Sequence, residues 1–146
     1  MSRHVSVVRR INAPVAEVFA AIANSDRLDR LPGASVTVLR DGEGYRDGVG
    51  LLRRITFPGG FLLEEVVGLE PPHVFDYRIR DSFPKFVHEW GRISFTPNGA
   101  GTTVTWESTI SIPAGPLTAV AERVGAAAGH VAFGAVLVEI GRRLGR

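Results

Sequence analysis

The chain has 146 residues, 45% hydrophobic and 22% charged, with a formal net charge of +2. A chain of this size makes one domain, here spanning 1–146, and buries roughly two-thirds of the surface its unfolded form exposes. Cysteine is absent, which excludes disulfides and thiol chemistry, and the basic residues are scattered as Arg9-Arg10, Arg53-Arg54 and Arg142-Arg143 rather than gathered on one face as in nucleic-acid binders.

In the first segment Val5, Val7 and Ile11 alternate with His4, Ser6 and Arg10, the period of a half-buried strand. Asn12-Ala13-Pro14 ends it, with Asn12 as the expected N-cap of a short helix carrying Val15, Val18, Phe19 and Ile22 on one face. Ser25-Asp26 restarts a second helical segment, and Pro32-Gly33 stops it. The N-terminal residues lack the apolar core of a secretory signal, so a cytoplasmic location is expected.

Six strands follow, at about 34–40, 48–57, 61–69, 74–80, 86–96 and 102–112. Their connections, among them Pro58-Gly59-Gly60, Pro71-Pro72 and Asn98-Gly99-Ala100-Gly101, are short and imply an antiparallel meander. Phe75, Tyr77 and Ile79 share the inner face of their strand, and Trp106, Val104 and Thr102 pair with Gly91, Ile93 and Phe95, with Glu89 on the same face. The strand 61–69 is ambiguous: Arg53 lies opposite Glu64 with a two-residue loop at Pro58-Gly59 and opposite Glu65 with a three-residue one. A two-residue Pro71-Pro72 loop sets Tyr77 against Val66 and favours Glu64. On this register His88 and Trp90 point outward, and an outward tryptophan signals either a bulge or a contact surface.

The last thirty residues, Gly115 to Gly145, read as one long amphipathic helix. Leu117, Val120, Val124, Ala127, Val131, Ala135 and Val138 recur at spacings of three and four, a stripe expected to meet the sheet. The small residues from Gly125 to Gly129 either hold the helix clear of the sheet at its centre, leaving a pocket, or allow close packing. Phe133, Leu137, Ile140 and Leu144 form a second stripe, to be covered by the two short helices and the first strand or by a second subunit. The apolar run from Val124 to Ile140 carries His130 and Glu139, and it is shorter than the ~20 residues of a membrane span, so no span is expected.

Ile11-Asn12-Ala13-Pro14-Val15 with Val18-Phe19, Leu31-Pro32-Gly33-Ala34, Val49-Gly50 leading to Arg53, Glu64 to Val67, Pro71-Pro72 before Phe75-Asp76-Tyr77, and Gly101 to Trp106 occur in an order that resembles the SRPBCC/START-like helix-grip superfamily. That superfamily includes START lipid-transfer domains, the major birch-pollen allergen fold and polyketide cyclase/dehydrase-like bacterial proteins. The resemblance covers essentially the whole chain. It implies an α+β helix-grip fold, a seven-stranded curved antiparallel sheet gripping the C-terminal helix, with an apolar cavity for a lipid, quinone, polyketide or similar molecule. It supplies no catalytic motif, since similar folds include both enzymes and carriers.

Arg53 with Glu64 (or Glu65) is either a clamp on a ligand's polar end or a structural ion pair. Tyr77 is either a donor to a ligand carbonyl or a core tyrosine. Glu89, in apolar surroundings, is either an acid–base group or a rim carboxylate. Trp106 walls the cavity, and Phe75, Ile93, Val124 and Ala128 complete its expected lining. The four histidines, His4, His73, His88 and His130, have no metal-site spacing, and neither metal nor cofactor is expected. The leading reading is a binder of a hydrophobic small molecule. The alternatives are a cyclase/dehydratase-type enzyme using Glu64, Glu89 or Tyr77, and a non-catalytic homodimeric module associating through Trp90 or the Phe133/Leu137 stripe. The chain is thus expected to be a monomer or a homodimer.

Overall fold

The computed structural model describes residues 3–145. Seven antiparallel strands, β1 (Arg3–Ile11), β2 (Ser35–Arg40), β3 (Leu52–Phe57), β4 (Gly60–Glu70), β5 (Val74–Phe83), β6 (Val87–Asn98) and β7 (Gly101–Ser111), form one sheet in the order β1-β7-β6-β5-β4-β3-β2. Two short helices, α1 (Val15–Ala23) and α2 (Ser25–Asp29), join β1 to β2, and the chain closes with α3 (Thr118–Leu144) after a single 3-10 turn at Gly115–Leu117. The element order and antiparallel meander are those expected from the sequence.

Local chemistry explains the entry into the helices. Pro14 sits at the start of α1 in an extended conformation, so α1 begins at Val15 and Asn12 does not cap it. Asn24 caps α2 instead, its side-chain oxygen accepting from the backbone N–H groups of Asp26 and Arg27 at 3.0 and 3.1 Å.

Loop lengths then fix the faces. Phe57 pairs with Gly60 across a two-residue turn, which sets Arg53 opposite Glu64, and Val66 falls opposite Tyr77. Leu62, Glu64 and Val66 face the core, and an irregularity between Val66 and Gly68 turns Leu69 inward as well, opposite Phe75. The Pro71-Pro72 connection has three residues rather than two, since Glu70 pairs with Val74, and the same irregularity brings Val66 back opposite Tyr77. The β6–β7 hairpin is tighter than expected: Asn98 pairs with Gly101, so Ile93 lies opposite Trp106 and Gly91 opposite Ser108. The shift is two residues, which leaves every face unchanged.

The placement of α3 corrects the sequence reading. The stripe of Leu117, Val120, Val124, Ala127, Val131, Ala135 and Val138 points away from the protein, Val124 being 65% and Val131 69% exposed. Leu137 and Ile140 are buried in the core with Phe133 and Leu144 packed beside them. Leucine, isoleucine and phenylalanine remove more apolar area from water than valine and alanine, so they win the inward face.

The small residues do not hold α3 off the sheet. A Cβ at Gly125 would lie 2.4 Å from Cδ1 of Ile112, and one at Gly129 would meet Val5. Glu122, buried one turn earlier, accepts from the Ser111 hydroxyl at 3.1 Å and the Ile112 N–H at 3.2 Å. The helix thereby packs chiefly on β1, with lesser contact to β7 and α1.

Candidate functional site

Arg53 is completely buried, held from three directions. Its Nε donates to Glu64 Oε1 at 2.8 Å, Nη1 to the Ser25 hydroxyl at 3.2 Å and Nη2 to the Ile22 carbonyl at 3.0 Å. The guanidinium lies 5.6 Å from the centre of the Phe75 ring. Ser25 in turn donates to Asp47, which Arg46 pairs at 2.9 Å. Burial pushes the Asp47 carboxyl up, but hydrogen bonds from Arg46 and Ser25 outweigh it and hold the group below its ordinary range. The buried pair ties α1 and α2 to the sheet.

Glu64 retains a free acceptor. Its Oε1 is taken by Arg53, whereas Oε2 accepts no hydrogen bond among the described residues. No buried side-chain oxygen lacks a partner among them, so Oε2 belongs to the small part of Glu64 that still reaches accessible space.

A second polar group lies on β5, β6 and β7. Trp106 Nε1–H donates to the Tyr77 hydroxyl at 2.8 Å. The Tyr77 and His88 rings stack at 5.1 Å and 19°. His88 Nδ1 accepts from the Ile79 N–H at 3.1 Å, which assigns the ring proton to Nε2, 2.6 Å from the Ser108 oxygen. Burial, reinforced by the charge of Arg78, lowers the His88 pKa to about 4. Burial also pushes the Tyr77 phenol well up, partly offset by hydrogen bonding from Trp106 and Ser108. Both rings are therefore neutral at physiological pH.

Gly91 makes this stacking fit. It lies opposite Tyr77, and a Cβ there would come within 2.5 Å of the tyrosine ring and 2.9 Å of His88 Cε1. Any side chain at 91 displaces one of the two rings.

The expected lining residues divide into two groups. Phe75, Ile93 and Tyr77 are buried on the inner face, and Trp106 joins them, its ring stacked on Phe133 at 4.3 Å and 6°. Glu89, Val124 and Ala128 are exposed on outer surfaces. Glu65 also lies on the outer face, paired with Arg40 and Arg80. Glu89 is displaced by a bulge between His88 and Trp90, which turns His88 inward. The awkward outward Trp90 was the signal of that bulge. Sequence reasoning missed His88, Ser108 and Phe133 as neighbours of Tyr77 and Trp106.

Around this polar pair, Ile55, Leu62, Phe86, Trp106 and Phe133 pack against the core yet remain partly exposed. Of these, Ile55 lies on β3, Leu62 on β4, Trp106 on β7 and Phe133 on α3.

A curved antiparallel sheet, two short helices after its first strand and a long terminal helix laid on its concave side define a helix-grip protein. The family described as polyketide cyclase / dehydrase and lipid transport matches residues 2–139, and the chain belongs to it. Solved structures that share the fold include the following three. TTHA0849 from Thermus thermophilus is 18% identical with a TM-score of 0.78, each chain covered to 97%. The Zhui aromatase/cyclase from a Streptomyces species is 21% identical with a TM-score of 0.73, covering 98% of this chain and 96% of that one. A START superfamily protein from Mycobacterium smegmatis is 13% identical with a TM-score of 0.73, at 97% and 96% coverage. No curated protein matches the sequence.

Proposed function

We propose that the chain acts in the cytoplasm as one domain, residues 1–146, that binds a hydrophobic small molecule of lipid, quinone or polyketide-like character on the concave face beside α3. The observation that carries this reading is the partly exposed apolar floor of Ile55, Leu62, Phe86, Trp106 and Phe133 next to one unshared acceptor, Glu64 Oε2. Such sites combine an apolar lining with a few fixed polar groups. Glu64 Oε2 takes a hydroxyl or N–H of the ligand, Trp106 and Phe133 offer flat walls, and Tyr77 sits beneath them.

Arg53 contributes indirectly, since its Nε, Nη1 and Nη2 are all engaged within the protein. It holds Glu64 in its orientation rather than touching the ligand.

Native mass spectrometry of the freshly purified protein tests this reading. A stoichiometric small-molecule adduct, removed by organic extraction and weakened by Trp106→Ala, is the expected result. Absence of an adduct, together with no saturable binding of a fatty acid, a quinone and a planar polyketide-like aromatic, rejects it.

A catalytic reading of the same cleft draws on one specific observation, the closeness of Glu64 and Tyr77. Glu64 sits one step along β4 from the partner of Tyr77, and its charge adds to the upward pressure on the phenol. Glu64 would remove a proton next to a ligand carbonyl and Tyr77 would hydrogen-bond the developing enolate. Conversion of a bound substrate that stops in Glu64→Gln while binding persists would establish it.

A further inference from the structure

The outer face of α3 has no occupant in the fold. Leu117, Val120, Val124, Val131 and Val138 are 44–69% exposed, with Ala127 and Ala135 exposed between them, along one side of the helix. Within Gly115–Leu144 the most apolar 18-residue stretch has a mean hydropathy of 1.6, with 11% of it buried. A helix apolar all round normally has a second apolar surface against it.

Three candidates for that surface are a second copy, the bilayer interior and the bilayer surface. Area argues against the first. A Val or Leu side chain carries roughly 100 Å² of apolar surface, so the five expose roughly 300 Å² together. Two such faces bury about 600 Å², well under the ~1,200–2,000 Å² of a stable specific interface. Packing argues against the second, because the opposite face carries Leu137, Ile140 and the buried Glu122 with its bonds to β7. Insertion across a bilayer strips those contacts from the core.

Charge favours the third. The exposed α3 charges are Arg123, Arg142 and Arg143, with Glu139 the one exposed-side acid, already paired to both terminal arginines. Arg123 follows Val120 by three residues and Arg142 follows Val138 by four, so basic groups stand at both ends of the stripe. A strip of valines with arginines toward its ends matches acyl chains below phosphate headgroups.

We propose that the outer face of α3 docks the protein onto an anionic lipid bilayer surface, the helix lying in the interfacial plane. Val120, Val124, Val131 and Val138 enter the acyl boundary. Arg123 and Arg142 meet lipid phosphates. The proposal is independent of the interior ligand, since no residue of the stripe lines the concave face.

Flotation of the full chain with phosphatidylcholine vesicles, and with vesicles of equal phosphatidylcholine and phosphatidylglycerol, tests it. The expected result is preferential flotation with the anionic vesicles that declines as salt is raised. Val124→Asp with Val131→Asp lowers the apparent affinity about tenfold or more. Arg123→Gln and Arg142→Gln each lower it about fivefold. Unchanged circular dichroism of these variants excludes unfolding as the cause. No flotation with either vesicle, or a double-aspartate variant that floats like the parent, overturns the proposal. So does self-association in sedimentation that the same aspartates abolish, which assigns the stripe to a second copy. A protein that floats but holds no interior molecule keeps the docking and loses the binding reading.

Discussion

Arg53 and Glu64 stand directly opposite each other on β3 and β4, Nε to Oε1 at 2.8 Å, with the guanidinium wholly removed from solvent. Removing one partner leaves an uncompensated buried charge, which costs about 3–5 kcal/mol. Arg53→Ala and Glu64→Ala are each expected to lower the unfolding free energy by that amount in urea titrations. The joint replacement Arg53→Met with Glu64→Leu recovers most of the loss. It also removes the acceptor offered to the ligand, so stability and binding separate in this variant. A single-residue loss below about 1 kcal/mol contradicts the buried-pair description.

His88 makes stability depend on pH in a defined window. Its pKa falls from 6.5 to about 4 on folding, because burial and then Arg78 disfavour the imidazolium. Between those values the unfolded chain binds a proton that the native chain refuses. The stabilisation is full above the unfolded pKa of 6.5, declines as pH falls and is exhausted below about 4, up to roughly 3 kcal/mol in all. Unfolding free energies measured across that range should show this slope. His88→Gln should be less stable at neutral pH and nearly flat over the same interval.

Gly91 is required by its two neighbours rather than by its backbone. Gly91→Ala places a methyl 2.5 Å from the Tyr77 ring and 2.9 Å from His88, and overpacking of this kind costs about 1–3 kcal/mol. Thermal unfolding measures the loss. A changed chemical shift of the Trp106 indole proton, which is donated to Tyr77, reports the displaced ring. An alanine variant with the parent's stability and an unmoved indole signal contradicts the packing described.

Glu122 pins the first half of α3 to the end of β7 through Ser111 and Ile112. Glu122→Ala leaves the Ile112 N–H without its acceptor, at about 1–3 kcal/mol. Hydrogen exchange should accelerate in the first turns of α3 and remain slow around the buried Leu137 and Ile140. Equal acceleration along the whole helix would show that α3 opens as one unit instead.

The sequence made the sheet legible because its punctuation is local. Pro58-Gly59 as a two-residue turn sets Arg53 on Glu64, whereas Val66 meets Tyr77 because a bulge at Val67 offsets a loop of three residues, 71–73, where two were expected. The inward turn of His88 was only half legible: the outward Trp90 pointed to a bulge or a contact surface, but no glycine or proline marked where the extra residue falls. Glu89 and His88 exchange faces on that single residue. The orientation of α3 was misread for a different reason. Its two sides are both apolar, so periodicity identifies two stripes without ranking them, and side-chain volume decides in favour of Phe133, Leu137, Ile140 and Leu144. The glycines then serve close approach, at Gly125 on Ile112, rather than an opening.

The two tryptophans provide the most direct test of the binding site. Trp106 lies on the inner face, stacked on Phe133, whereas Trp90 is 40% exposed on the outer face beside His4. Their indole N–H resonances can be followed while the protein is titrated with an amphiphilic aromatic probe such as 1-anilinonaphthalene-8-sulfonate. Binding on the concave face predicts a saturable shift of the Trp106 signal with Trp90 unmoved. A saturable shift of Trp90 alone, or no shift of either, contradicts it.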